Sequence, residues 1–327
     1  MNLIGGVNTQ PARPTEKTWD VVAIGEAMVE FNQRDGAHYL AGFGGDTSNC
    51  VIAAARMGAR TAYLSQLGDD VWGDELLALW QREGINTEGV RRLPGGQTGL
   101  YFVTHGAQGH RFSYRRSGSA ASRMAPDTLP AGAVDQAQWL HCSGISQAIS
   151  DSACDTVFAA IARARAAGTQ VSYDLNFRPD LWPAARALAI AKATLAQCDV
   201  FFPSIDEVSA LAGLHRPEDV IAWSHAQGVP RVALKLGALG CRVSSAEGVA
   251  HIAAHPVNPV DASGAGDCFA GALLARLAAG DALADAARAA NVAAALSTQG
   301  YGAVKPLPTW AEVAAVLRPG GRPGAGD

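Results

Sequence analysis

Short apolar runs separated by longer amphipathic stretches set the rhythm of this chain. Val21-Val22-Ala23-Ile24-Gly25 is a continuous apolar run ending in Gly, the pattern of a central parallel strand. Similar runs recur at Ala62–Gln66, Trp139–Ser143, Gln170–Tyr173, Val200–Phe202 and Arg231–Leu236. Helical periodicity lies between them, as at Asp74–Glu83, Ser152–Ala167 and Leu181–Ala196. Alternating strand and helix predicts an α/β fold with a mainly parallel central sheet, flanked by helices on both faces. Ligands in such sheets gather beyond the C-terminal strand ends. Glu30–Phe43 and Thr98–Ser117 break the rhythm. They are aromatic and polar, with turn signals at Asp35-Gly36 and Gln108-Gly109, and Leu100–Thr104 faces Arg111–Arg115 like a hairpin. No internal repeat is visible.

Composition narrows the classes. The chain has 327 residues, 48% of them apolar and 17% charged, enough for a large core in one big α/β domain or two smaller ones. A net charge of −4 and the lack of a Lys/Arg run argue against nucleic-acid or membrane-surface partners. Cys50, Cys142, Cys154, Cys198, Cys241 and Cys268 form no C-x-x-C pair and mostly lie in apolar stretches. They read as buried free thiols, which points to a reducing cytoplasm. Residues Met1–Lys17 carry no signal-peptide core and are expected to be a flexible leader. The Pro/Gly-rich tail Arg318–Asp327 is expected to be disordered.

The most telling segment is Pro259-Val260-Asp261-Ala262-Ser263-Gly264-Ala265-Gly266-Asp267, followed by Phe269, Leu273 and Leu277 at helical spacing. Gly264, Ala265 and Gly266 leave backbone N–H groups uncovered, and a helix starting here would aim its positive end at an anion. A carboxylate beside such a cradle repels phosphate. It makes chemical sense if Asp267 takes the proton of a hydroxyl that attacks phosphorus, the chemistry of a small-molecule kinase. The plainer alternative is a Gly-rich loop with an N-cap Asp.

Asp261–Asp267 also resembles the C-terminal signature of the PfkB (ribokinase-like) sugar kinases. Gly44-Gly45-Asp46-Thr47-Ser48-Asn49, running on to Arg56-Met57-Gly58, resembles their N-terminal signature. The resemblance extends from about Trp19 to about Leu317. It implies a ribokinase-like kinase domain over 18–317, with 30–43 and 98–117 as a small β-sheet lid that often supplies a dimer contact. It implies ATP and Mg²⁺ as cofactors, a sugar contact at Gly44, Gly45, Asp46 and Asn49, and Asp267 as the base.

Further segments extend this expectation. Ser204-Ile205-Asp206-Glu207 stands where relatives carry Asn-x-x-Glu, so Glu207 is the expected Mg²⁺ residue, while Ser204 departs from the pattern. A solvated first turn of a helix explains the same acids. Lys235-Leu236-Gly237-Ala238-Leu239-Gly240 resembles the nucleotide-side turn, and a plain β-turn between strands explains it equally. Asn291 and Ser297–Ala303 resemble the adenine flank and, in many relatives, a K⁺-type monovalent-cation loop.

On the acceptor side, Tyr114 to Ser122 and Asp174-Leu175-Asn176-Phe177-Arg178-Pro179-Asp180-Leu181-Trp182 resemble the branch that phosphorylates 2-keto-3-deoxygluconate. Gly25 to Glu30 looks like the same branch. A sugar acid needs a cation for its carboxylate, and Arg offers a matching fork. Arg116 and Arg178, with Tyr101, Tyr114 and Asn176, form the expected acid pocket. A solvated lid hairpin is the alternative for Arg116, and a surface ion pair with Asp180 the alternative for Arg178. The expected reaction is transfer to the 6-hydroxyl. Competing readings are a fructokinase, a kinase of another keto-sugar acid, and a non-catalytic sugar-acid sensor.

Overall fold

The computed structural model describes residues 17–106 and 109–318. In chain order the strands are β1 (Trp19–Ile24), β2 (Met28–Asp35), β3 (His38–Gly44), β4 (Thr61–Gly68), β5 (Val90–Leu93), β6 (Gly99–Gly106), β7 (Gly109–Arg115), β8 (Ala137–Ser143), β9 (Gln170–Asp174), β10 (Val200–Phe202), β11 (Val232–Lys235), β12 (Cys241–Ser245) and β13 (Gly248–Ile252). The helices are α1 (Asp46–Arg56), α2 (Val71–Arg82), α3 (Gly144–Ala148), α4 (Asp151–Ala166), α5 (Ala184–Leu195), α6 (Ile205–Ala212), α7 (Pro217–Ala226), α8 (Ala265–Ala278), α9 (Leu283–Ser297) and α10 (Trp310–Leu317).

Nine strands form the main sheet in the order β13-β12-β11-β10-β9-β8-β1-β4-β5. Pairing is parallel from β5 through β11, and the β11–β12 and β12–β13 pairs are antiparallel, so β12 alone runs against the rest. All six strand-like runs of the sequence lie in it. Both faces are covered, so central strands such as β1 serve two cores. Val21 and Ala23 pack with residues of α1, α2, α8 and α9, while Val22 and Ile24 pack with residues of α4 and α5. Phe202 and Phe201 divide in the same way. All six cysteines are free and buried.

Three boundaries differ from the sequence reading. The helix expected from Leu181 starts at Ala184, after Pro183. Proline lacks an N–H and pushes Trp182 out of the helical region, so the preceding residues cannot join. The helix expected from Asp74 starts at Val71, capped by Asp70, whose carboxylate accepts the Gly73 N–H at 2.8 Å. Lys17, read as the end of a flexible leader, is pinned. Its ammonium donates to the Asp135 and Ala167 carbonyls at 2.7 and 3.0 Å. The rest of that leader, Gln108 and the tail beyond Arg318 lie outside the described residues.

The two irregular stretches pair into a separate sheet, β3-β2-β6-β7. The hairpin is in the expected register, with Leu100 opposite Arg115 and Thr104 opposite Arg111. Phe31 of this sheet stacks on Phe102 at 5.3 Å and meets Trp72 of α2 edge-on at 5.4 Å. Arg34 lies over the Tyr301 ring at 4.2 Å. The lid therefore touches the body at two places.

Helices α1 and α8 cross at Gly271. A Cβ there would stand 2.9 Å from the Ala53 Cβ, and closer still to the Cys50 carbonyl oxygen. Backbone and buried methyl groups cannot swing aside as a flexible side chain can. Gly271→Ala should therefore cost about 1–3 kcal/mol through overpacking, read as a lower denaturant midpoint at unchanged m-value. An unshifted midpoint would mean that the crossing has slack.

Candidate active site

The site opens beyond the C-terminal ends of β1, β8, β9 and β11, between the first turns of α1 and α8. Gly44 and Gly45 carry the chain from the lid into α1, and Gly45 caps that helix at φ 117°. Asp46, the first residue of α1, is buried and accepts a hydrogen bond from the Ser143 hydroxyl and one from the Asn176 amide at 3.1 Å. Asn176 sits at φ 38°, unusual for a residue with a side chain, while its N–H is held by the Asp174 carboxylate at 3.2 Å. One turn along α1, the Asn49 amide donates to the Asp267 carboxylate at 2.8 Å. The two signature motifs, far apart in sequence, thus meet in one hydrogen bond.

Helix α8 begins at Ala265, with Gly264 in the left-handed region at φ 74°. Asp267 is therefore inside the first turn, and the N-cap alternative does not hold. The anion cradle differs from expectation in one amide. The Ala265 N–H donates to the Ala262 carbonyl at 3.2 Å, because the left-handed Gly264 closes a tight turn there. Gly264, Gly266 and Asp267 itself keep their N–H groups free of protein acceptors. Burial pushes the Asp267 carboxyl up to about 8, and the negative charge of Asp46 adds to it. The Asn49 hydrogen bond and the Lys235 charge pull the other way. Asp267 is only half-buried by surface area, because its tip faces the cleft; the protein around it still excludes most water.

Lys235, at the end of β11, donates to the Asp174 carboxylate at 2.6 Å. This ion pair is nearly closed to solvent. Asp174 ends β9, two residues before Asn176; the sequence reading had quoted it in a motif without giving it a role. Glu207 lies in the first turn of α6. It is not a solvated acid: its side chain is 14% exposed, and burial raises its carboxyl while Lys235 lowers it. Ser204 caps the same helix. Its hydroxyl accepts the Glu207 N–H at 3.4 Å and its own N–H donates to Glu207 at 3.2 Å. Ser-x-x-Glu is a capping-box signature, legible in the sequence, and it explains how Ser can stand in the Asn position. Arg178 reaches Glu207, not Asp180, at 3.6 Å. Phe177, Arg178, Trp182, Ser204 and Glu207 line a cavity of ≈ 620 Å³.

The acceptor side gathers under the lid. Tyr101 donates to Glu30 at 2.5 Å and packs against Gly44. Burial pushes the Tyr114 hydroxyl up, while the charges of Arg178 and Arg116 pull it down, and Arg116 lies 5.6 Å from the Tyr114 ring centre. Arg116 is not solvated. Its Nε donates to buried Glu26 at 2.8 Å, and Nη2 lies 2.5 Å from the same oxygen without a hydrogen-bonding angle. Ser119 donates to the other Glu26 oxygen at 2.5 Å. Glu26 was not foreseen as the partner of Arg116, because 90 residues separate them.

Three expected nucleotide residues have evident structural tasks. Gly237 and Gly240 form the turn between β11 and antiparallel β12, with Leu236 N–H bonded to Gly240 carbonyl at 2.8 Å. Asn291 spends its amide on the Ile252 and Ala253 carbonyls at 3.0 and 3.2 Å, tying α9 to β13.

A half-buried carboxyl beside free amides and a buried lysine, at the strand ends of an α/β sheet, defines a phosphotransferase acting on a hydroxyl. Residues 19–310 match the pfkB family of carbohydrate kinases, and the chain belongs to that family. It is 34% identical over 305 residues to the 2-dehydro-3-deoxygluconokinase of Dickeya dadantii (strain 3937), covering 89% of this chain and 98% of that one. It is 31% identical to a probable fructokinase-4 of Arabidopsis thaliana, covering 91% and 96%. The fold matches a putative ribokinase II from E. coli in complex with ATP and Mg²⁺, with a TM-score of 0.84, 26% identity, and coverage of 91% and 98%.

The raised Asp267 carboxyl has a pH consequence. The native state holds this proton where the unfolded chain has lost it. That contribution is complete below pH 3.8 and vanishes as pH rises through about 8. The stability of the wild type relative to Asp267→Asn should therefore fall steadily across that window in urea unfolding. A pH-independent difference would show that Asp267 titrates as an ordinary carboxylate.

Proposed function

We propose that this enzyme transfers the terminal phosphoryl group of ATP to the 6-hydroxyl of 2-keto-3-deoxygluconate. The observation that carries the acid as acceptor is Arg116 over the Tyr114 ring at 5.6 Å, together with Arg178 lining the cavity. A neutral sugar needs no such pair of cations. The similarity to 2-dehydro-3-deoxygluconokinases supports the same reading.

In this reading the ionised form of Asp267, made more basic by its raised pKa, takes the hydroxyl proton as oxygen attacks phosphorus, and Asn49 holds the carboxylate in place. The free amides of Gly264, Gly266 and Asp267 meet the charge that develops on the phosphoryl oxygens. Glu207 suits a Mg²⁺ ion bound mainly by phosphate and water. Among the described residues, no three His, Cys, Asp or Glu side chains are grouped to hold a metal. The bound ion would supply charge neutralisation on the phosphates. We also assign the lid sheet, where Tyr39, Leu40 and Phe112 are exposed, as a contact with a second copy of the chain. A monomeric mass in sedimentation equilibrium would remove that assignment.

A coupled ATP assay with a panel of sugars and sugar acids tests the reading. Turnover of 2-keto-3-deoxygluconate should exceed that of fructose, whereas a preference for fructose selects the fructokinase alternative, and no turnover of any substrate leaves a sensor. Asp267→Asn should lower kcat by roughly 10²–10⁴-fold. Arg178 is half-exposed, so Arg178→Ala should fold. It should cost the acid about ten- to a hundredfold in kcat/KM, the worth of a charged hydrogen bond, and leave a neutral sugar almost unchanged. Equal losses for both substrates would show that Arg178 does not read the carboxylate.

A further inference from the structure

Lys235, its side chain 17% exposed, has a single hydrogen-bonded partner, Asp174, although an ammonium carries three donors. The two residues stand on β11 and β9, with β10 between them, so the lysine stem crosses a whole strand to reach its partner. The ammonium also feels the charges of Glu207 and Asp267, beyond its direct contact with Asp174. It lies 3.4 Å from where a Cβ on Gly266 would stand, directly over the first turn of α8. Gly266 supplies no side chain to screen it. The amides of Gly264, Gly266 and Asp267 open on the same space.

We propose that Lys235 is a catalytic residue that contacts the transferred phosphoryl group, with Asp174 as the tether that holds it there. The inference rests on phosphoryl transfer at this site and not on which sugar accepts. A buried ion pair alone adds little stability over an apolar pair, so a purely structural role explains poorly why a charged pair stands here. A phosphoryl group approaching the negative charges of Asp174, Glu207 and Asp267 is repelled, and the ammonium offsets that repulsion at the point where charge develops. In the step itself the acceptor oxygen forms a bond to the γ-phosphorus as the bond from that phosphorus to the bridging oxygen breaks. The electron pair leaves with ADP, the hydroxyl proton goes to Asp267, and Lys235 keeps all its protons.

Nucleotide binding without any sugar tests this, so the result does not depend on the acceptor. In the full chain with Mg²⁺, calorimetry compares ADP with AMP-PNP, a non-hydrolysable ATP analogue. Lys235→Met should weaken AMP-PNP binding by about ten- to a hundredfold and leave ADP nearly unchanged. Lys235→Arg should restore most of the difference. If loss of the lysine alone unfolds the protein by stranding Asp174, the double variant Lys235→Met/Asp174→Asn removes both charges together. It should show the same selective loss. A folded double variant that keeps the wild-type ratio of AMP-PNP to ADP affinity would overturn the proposal, as would equal weakening of both nucleotides.

Discussion

The hydrogen bond from Asn49 to Asp267 depends on how closely α1 and α8 approach. Gly271 permits that approach by leaving room for the Cys50 carbonyl. The crossing joins a helix entered from the lid to a helix entered from the phosphoryl cradle. Small buried residues, Ala53 and Ala54 on one side and Ala270 and Ala272 on the other, continue the close packing. The abundance of alanine and glycine thus has a mechanical role: thin helices let two helix termini point into one cleft.

The cleft is electrostatically strained before any ligand arrives. Asp174, Glu207 and Asp267 share the charge of one lysine, Asp46 repels Asp174 and Asp267, Arg178 stands beside Glu207, and burial raises the Asp174, Glu207 and Asp267 carboxyls. Polar groups divide the load: Ser143 and Asn176 serve Asp46, Asn49 serves Asp267, and Lys235 serves Asp174. Such a set stores an unfavourable proton distribution that a phosphate with its counter-ion can reorganise.

Much of this was legible in the sequence. The continuous apolar strands follow from burial on both faces, and the glycine-rich approach to Asp267 follows from anion chemistry. The lid hairpin followed from its turn and its alternation. What escaped were pairings made by tertiary structure. Glu26 with Arg116, Glu30 with Tyr101 and Asp174 with Lys235 join residues 90, 71 and 61 positions apart, and no local pattern marks them. The Ala265 amide escaped for a different reason. Which N–H is free depends on the sign of φ at Gly264, and composition does not encode that. The late start of α5 and the Ser204 cap were readable from Pro183 and Ser-x-x-Glu.

The separation of the lid sheet from the main sheet divides labour in a way that matters for redesign. In the proposed function, recognition of the acceptor falls to β6, β7, the loop after β9 and the entry to α1, whereas transfer falls to α8, β11 and Asn49. A library that randomises the first group leaves the proton acceptor, the amides and the lysine in their native frame. This scaffold can therefore be retrained toward new alcohols by rewriting its cover, because the part that handles phosphorus is built into the walls.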